Sequence, residues 1–237
     1  MHSPFVRLKR YAPGLRQAAH AHDAPHLSLV LAGGFEERSA LAEVQVGTGR
    51  LGARPEGWRH AVAFGSAGGL VLTFSPPVDE AAAPAIRGPA WSSALPQARL
   101  RRLVPLLLEP GPDALDAGWD LLALAGHIAP ERSPDPWLAA VRDRLIAAPG
   151  ETRLTALARQ AGRHRVSMGR AFMSAYGEPP SVFRRRMMVD RALGLAASGA
   201  PAVQAAVEAG FSDQSHFSRA CRDAWGLAPG RLLAAAA

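Results

Sequence analysis

One helical pattern occurs twice near the end of this chain, and it constrains the fold more than any other feature. Leu157-Ala158-Arg159-Gln160-Ala161-Gly162 leads to Met168-Gly169-Arg170-Ala171-Phe172, and Ala205-Ala206-Val207-Glu208-Ala209-Gly210 leads to Phe217-Ser218-Arg219-Ala220-Cys221, with Arg170 and Arg219 49 residues apart. A helix, a glycine-centred turn and a second helix form the unit that sets its second helix into a DNA major groove. A single copy is a weak signal because many helical hairpins look alike; a tandem copy is far more specific.

The charge distribution agrees with that reading. The 237 residues carry a formal charge of +7, yet residues 1 to 135 hold 13 basic and 13 acidic residues, whereas residues 136 to 237 hold 14 and 7. All the net positive charge lies in the part with the repeat, as expected if only that part meets a polyanion. Lys9 is the only lysine, and the arginine bias is also what a GC-rich genome would give. The single cysteine, Cys221, excludes an internal disulfide and any multi-cysteine metal site. It fits a reducing cytoplasm and reads as a small core residue. No apolar run approaches the roughly 20 residues of a membrane span, and Met1 to Arg7 lack the apolar block of a signal peptide, so a cytoplasmic location without membrane contact is expected.

Periodicity divides the chain further. Residues 5 to 75 contain short apolar runs between glycines, Leu27 to Leu31 and Gly69 to Phe74 among them, and read as strands. After the Pro/Ala-rich stretch Pro76 to Pro89, helical spacing appears at Leu100, Leu103, Val104 and Leu107, and again at Leu121, Leu122, Leu124, Ala125 and Ile128, broken by Glu109-Pro110-Gly111-Pro112. Prolines 130, 134 and 136 mark a linker. Beyond it, helices are expected over 137–148, 154–161, 166–175, 180–197, 202–209 and 214–224, with a frayed tail at Ala234 to Ala237. The chain is therefore expected to have two domains: an N-terminal all-β domain over 1–93 with a helical connecting segment at 94–129, a linker at 130–136, and an all-α DNA-binding domain over 137–237.

The second copy of the repeat resembles the AraC/XylS family of transcription regulators, through Gly210-Phe211-Ser212-Asp213-Gln214-Ser215-His216-Phe217-Ser218-Arg219 and Trp225-Gly226-Leu227-Ala228-Pro229. The first copy is similar to that family through Leu157-Ala158, Ala161-Gly162, Arg170, Phe172 and Tyr176-Gly177-Glu178-Pro179-Pro180, and the likeness spans about residues 137 to 233. The resemblance implies that Val166, Ser167, Gly169 and Arg170 on one recognition helix, and Gln214, Ser215, Ser218 and Arg219 on the other, face bases, with Ser181 to Ala197 as the joining helix. Arginine can fork onto guanine and glutamine onto adenine. Two departures matter: Gly169 and Val166 bring little hydrogen bonding to the first unit, and Arg163-His164-Arg165 replaces the family's usual turn, so phosphate contacts are expected to dominate there. Alanines at 202 and 205 imply a thinner core in the second unit. Arg184, Arg185 and Arg186 read equally as phosphate contacts or as a solvated face.

The N-terminal part resembles cupins through Gly14, His20, His22, His26 and Gly33, and through Gly49, Pro55, Gly57 and His60. A cupin brings these two motifs onto neighbouring strands, which implies convergence of His20, His22, His26 and His60 inside a barrel. There they would bind a divalent zinc, nickel, copper or iron ion or line a pocket for an organic effector. Histidine stands at 26 where cupins usually have glutamate. Asp23, Glu36 and Glu37 read as surface charges, and Trp58 as core.

Together these readings predict a DNA-binding regulator, not an enzyme, that responds to a metal or small molecule. Its expected partners are double-stranded DNA, RNA polymerase and a second copy of the chain, paired through the leucine face of residues 96 to 128. The alternative is a metal-dependent cupin enzyme, a dioxygenase or isomerase, fused to a DNA-binding domain.

Overall fold

The computed structural model describes residues 5–77, 86, 90–92, 95, 97–109, 111–125 and 134–236. Linker residues 130–133 and most of the Pro/Ala-rich stretch lie outside them. Seven strands come first among the described residues: β1 Val6–Tyr11, β2 Arg16–His20, β3 His26–Ser39, β4 Glu43–Gly47, β5 Leu51–Arg54, β6 His60–Phe74 and β7 Ala90–Trp91. They form one antiparallel sheet in the order β1-β6-β3-β5-β7, with β2 added on β6 and β4 on β3. The two longest strands, β3 and β6, pair along most of their length, from Leu27 opposite Phe74 to Ser39 opposite His60. Both exceed the apolar runs that announced them, because their outer halves alternate polar and apolar residues. The register of β3 and β6 shifts on either side of Gly33, whose φ is +71° and whose added Cβ would lie 2.1 Å from the Gly68 carbonyl oxygen. Only glycine fits there.

Nine helices follow among the described residues: α1 Gln97–Leu108, α2 Pro112–Ala125, α3 Pro136–Ala147, α4 Leu154–Gln160, α5 Arg165–Tyr176, α6 Pro180–Ala197, α7 Ala202–Glu208, α8 Gln214–Trp225 and α9 Pro229–Ala235. None is long and apolar enough to cross a membrane. The leucine face of α1, formed by Leu100, Leu103, Val104 and Leu107, is buried within the chain, against α2, α8 and β1. The face that argued for a dimer is thus already covered, and that argument lapses.

The helical units rest on two separate cores. Leu138, Val141, Leu145, Leu157, Met168, Phe172, Tyr176, Phe183 and Met187 form one, which belongs to the first unit alone. The second unit has no such private core. Its Ala206, Phe211, Phe217, Cys221, Trp225 and Leu232 join one cluster with Leu27, Leu29, Leu72 and Phe74 of the sheet and with the α1 and α2 leucines. Helix α6 serves both, since Phe183 and Met187 face the first core while Met188, Val189, Ala192 and Leu193 face the second. Ala234 to Ala236 are not a frayed tail: α9 runs to Ala235, and Ala235 and Ala236 pack against the shared cluster, while Ala237 lies outside the described residues.

Polar contacts tie α6 to the sheet as well. Asp190 Oδ1 accepts from the Gly33 backbone N–H at 2.5 Å and from Thr48 Oγ1 at 2.5 Å. Arg186 donates to the Thr48 carbonyl at 2.5 Å and pairs with Glu178. Burial pushes the Asp190 carboxyl upward, opposed by the hydrogen bonds from Thr48 and Gly33 and by nearby Arg186.

Candidate functional site

Two sites emerge, one on the helical region and one in the sheet. On the helical region, α4 and α5 are joined by a turn of four residues and α7 and α8 by one of five. Each turn holds a glycine with positive φ, Gly162 at +64° and Gly210 at +95°. At Gly210 a Cβ would lie 2.4 Å from Gly150 Cα, so the residue is also required by close packing. Both second helices have side-chain caps at their N-termini. His164 Nδ1 accepts from Val166 N at 3.3 Å, and Asp213 Oδ1 accepts from His216 N at 2.7 Å. The latter bond, with that from the Ser212 hydroxyl, holds the exposed Asp213 carboxyl below its ordinary range. Both helices end on glycines with φ near +75°, Gly177 and Gly226, the common left-handed stop.

These caps present the first turns of α5 and α8 to solvent. Val166, Ser167, Arg170, Gln214, Ser215 and Arg219 are exposed, and Gly169 and Ser218 are half-buried. Their opposite faces supply the cores through Met168, Phe172, Phe217 and Cys221. The three neighbouring arginines do not act alike: Arg184 donates to the carbonyls of Pro149 and Gly150 at 2.6 and 3.2 Å, and Arg186 is engaged with Thr48 and Glu178. Only Arg185 is exposed. Two of the three therefore hold the fold together and form neither a solvated face nor a phosphate row.

In the sheet, a cavity of about 1070 Å³ is lined by Arg7, Lys9 and Tyr11 of β1, by His20, His22, His26 and His60, by Phe35, Glu37, Arg54, Phe64 and Trp91, and by Ala235 and Ala236 of the C-terminal segment. His20 and His60 are directly opposed where β2 pairs with β6, as neighbouring motif strands require. His22 lies just past the end of β2. One ring nitrogen from each of His20, His22 and His60 falls within 4.8 Å of the others, and the Nε2 atoms of His22 and His60 are 3.3 Å apart.

His26 is brought close but not into this set. Its ring meets that of His22 edge-on, 4.3 Å between centroids, and it is buried at the start of β3, where burial pushes its imidazole down to about 4. Of the four expected histidines, His20, His22 and His60 converge closely enough to share one atom, while His26 lines the same cavity in contact with His22. Burial, followed by the charges of His60 and His20, also lowers His22, which keeps its lone pair available at neutral pH. Three imidazoles converging within reach of one atom fit a borderline divalent ion.

Glu37, expected at the surface, is buried beneath this cluster. Its Oε2 pairs with Arg54 and accepts from Trp91 Nε1 at 3.2 Å, while Oε1 lies 3.3 Å from His60 Nδ1. Burial raises its carboxyl, but the bonds from His60 and Arg54 outweigh that and leave it lowered. The guanidinium of Arg54 stacks over the Trp91 ring at 4.3 Å. The overlooked signal was Arg54 itself: a cation in the short strand Leu51-Gly52-Ala53-Arg54, buried throughout, demands a buried anion. Glu36, by contrast, is paired with Arg38 near the surface, Asp23 is exposed, and Trp58 is half-buried.

Residues 157–235 match a family model described as a helix-turn-helix domain. This part of the chain is similar to a helix-turn-helix domain. The match begins within α4 and takes in both turns, both recognition helices and α9. No curated protein matches the chain at a significant level. Among solved structures, ToxT from Vibrio cholerae is similar over 97% of each chain at 9% identity, with a TM-score of 0.43. The C-terminal domain of AraT, a response regulator from Geobacillus stearothermophilus, is similar over 44% of this chain and 88% of its own, at 19% identity and a TM-score of 0.41. A cupin domain from Bordetella pertussis covers 32% of this chain and 83% of its own, at 22% identity and a TM-score of 0.26.

Proposed function

We propose that the chain is a sequence-specific transcription regulator, with domains at 1–93 and 137–237 joined by the helical segment 94–129 and the linker 130–136. The observation that carries this reading is the tandem helix-turn-helix domain, with two capped recognition helices whose first turns are exposed. Arg170 and Arg219 would fork onto guanines and Gln214 onto adenine, with Ser167, Ser215 and Ser218 as adaptable donors. Val166 is 52% exposed and suits a thymine methyl group, and Gly169 leaves room for close approach to the backbone. RNA polymerase is the further partner of such a regulator.

His20, His22 and His60 would hold a divalent transition metal, which would supply charge and a coordination position open to the cavity. What supports a sensing role is that the same cavity is walled by Ala235 and Ala236, next to the helix that follows recognition helix α8. A ligand alters DNA binding only through different affinities for two arrangements of these parts. The DNA arm is tested by selecting sequences from random duplexes with the full chain. A defined motif is expected, with affinity falling steeply as salt rises; binding without any sequence preference would overturn the reading. For the metal, His20→Ala/His60→Ala is expected to abolish zinc binding seen in the wild type by competition with a chelator, and equal binding by both would overturn the site.

A further inference from the structure

We infer that Glu37 is the positioning residue that selects which nitrogen of His60 is left bare, and so makes His60 a ligand through Nε2; this rests on the three-histidine reading above. The two carboxylate oxygens of Glu37 have different neighbours. Oε2 faces Arg54 and Trp91 Nε1, groups that only donate. Oε1 faces His60 Nδ1 at 3.3 Å. That Nδ1 is buried and makes no well-aligned hydrogen bond among the described residues, to Glu37 or to any other group; Glu37 Oε1, at 3.3 Å, is the acceptor within reach of a proton placed there. The opposite ring nitrogen, Nε2, points to His22 Nε2, 3.3 Å away.

A neutral imidazole carries its proton on one nitrogen, and the partner of that nitrogen decides which. Glu37, an acceptor only, draws the proton to Nδ1 and leaves the Nε2 lone pair directed into the histidine cluster. Outer carboxylates play this part behind ligating histidines in general, and their loss weakens metal binding about 10- to 100-fold. The geometry also predicts what a nearly isosteric change would do. In Glu37→Gln the oxygen must stay toward Arg54 and Trp91, because both donate. The amide NH2 then faces His60 Nδ1, which must accept, and the proton moves to Nε2, where it blocks coordination.

The test uses the full chain labelled with 15N-histidine and stripped of metal, with the imidazole tautomers read by long-range proton–nitrogen NMR. Wild-type His60 is expected as the Nδ1–H tautomer and Glu37→Gln as Nε2–H; zinc affinity, measured separately by chelator competition, is expected to fall about 10- to 100-fold in the variant. A wild-type His60 protonated at Nε2, or a folded Glu37→Gln that keeps the wild-type tautomer and zinc affinity, overturns the assignment. If Glu37→Gln does not fold, the wild-type tautomer alone still decides. If the wild type shows the Nδ1–H tautomer but binds no zinc, the hold of Glu37 on His60 is supported and the metal reading is what falls.

Discussion

The two helix-turn-helix units repeat one local design, yet they sit in the molecule differently. The first closes on itself, with Phe172 and Tyr176 packed on Phe183 at centroid distances of 5.4 and 6.5 Å within a core of its own. The second has small residues at Ala205 and Ala206 and completes its core with α1, α2 and the sheet. Near-identical backbone devices, a positive-φ glycine in the turn and a left-handed glycine stop, therefore give one free-standing module and one dependent on its neighbours. The difference comes from side-chain volume: a unit whose first helix offers methyl groups must borrow apolar surface from elsewhere. The dependent unit is the one whose last residues wall the cavity, which places it where an effector would be felt.

The largest effect that would break this comparison is expected from the cores. Trp225→Ala and Phe172→Ala each remove a fully buried ring and should each cost about 3–5 kcal/mol, but in different places. Phe172→Ala should release only amides of α3 to α5 to faster hydrogen exchange. Trp225→Ala should also speed exchange in β3 and β6. Equal and local effects of both would show that the shared cluster is not one cooperative unit.

A smaller effect, about 1–3 kcal/mol, is expected at the DNA surface. Arg219→Ala should relax base preference at one position of the selected motif, whereas Arg170→Ala, in the unit with the more basic turn, should weaken binding more evenly across sequences. Measuring affinities for a panel of single-base variants separates the two. Identical relaxation in both mutants would make the units equal readers.

The smallest perturbation is chemical. Cys221 is buried in the shared core, and burial pushes its thiol up to about 12. A thiol reagent at neutral pH should label it only when that core opens, and denaturant should expose Cys221 together with loss of the β3 and β6 amides' protection. Because the folded value is raised, ionisation favours the unfolded chain once the pH passes the ordinary thiol value near 9. Stability should therefore decline above that pH, and Cys221→Ala should lessen the decline.

Much of the helical half was legible from spacing. The helix expected over 180–197 is Pro180–Ala197, and those expected over 154–161 and 214–224 are Leu154–Gln160 and Gln214–Trp225. Caps, glycine stops and prolines are local signals, and they end helices wherever they occur. Helix α9 escaped notice because an alanine-rich end has no polar face to reveal a period. In the sheet, His20, His22 and His60 were legible through motif spacing, while the exclusion of His26 and the burial of Glu37 were not. Which of several nearby histidines converge depends on where β2 ends and β3 begins, a matter of a residue or two.

What the sequence determined by itself is the tandem helical unit, its glycine turns and the strands that carry His20 and His60, because each depends on neighbours within a few positions. Only the tertiary structure decided that the second unit shares its core with the sheet, that Arg184 and Arg186 are spent on backbone carbonyls, and that Glu37 lies under His60. Their polar contacts span from 17 positions, between Glu37 and Arg54, to 138, between Thr48 and Arg186. Such contacts are set by how complementary volumes and charges meet once the layers pack, and no local pattern encodes them.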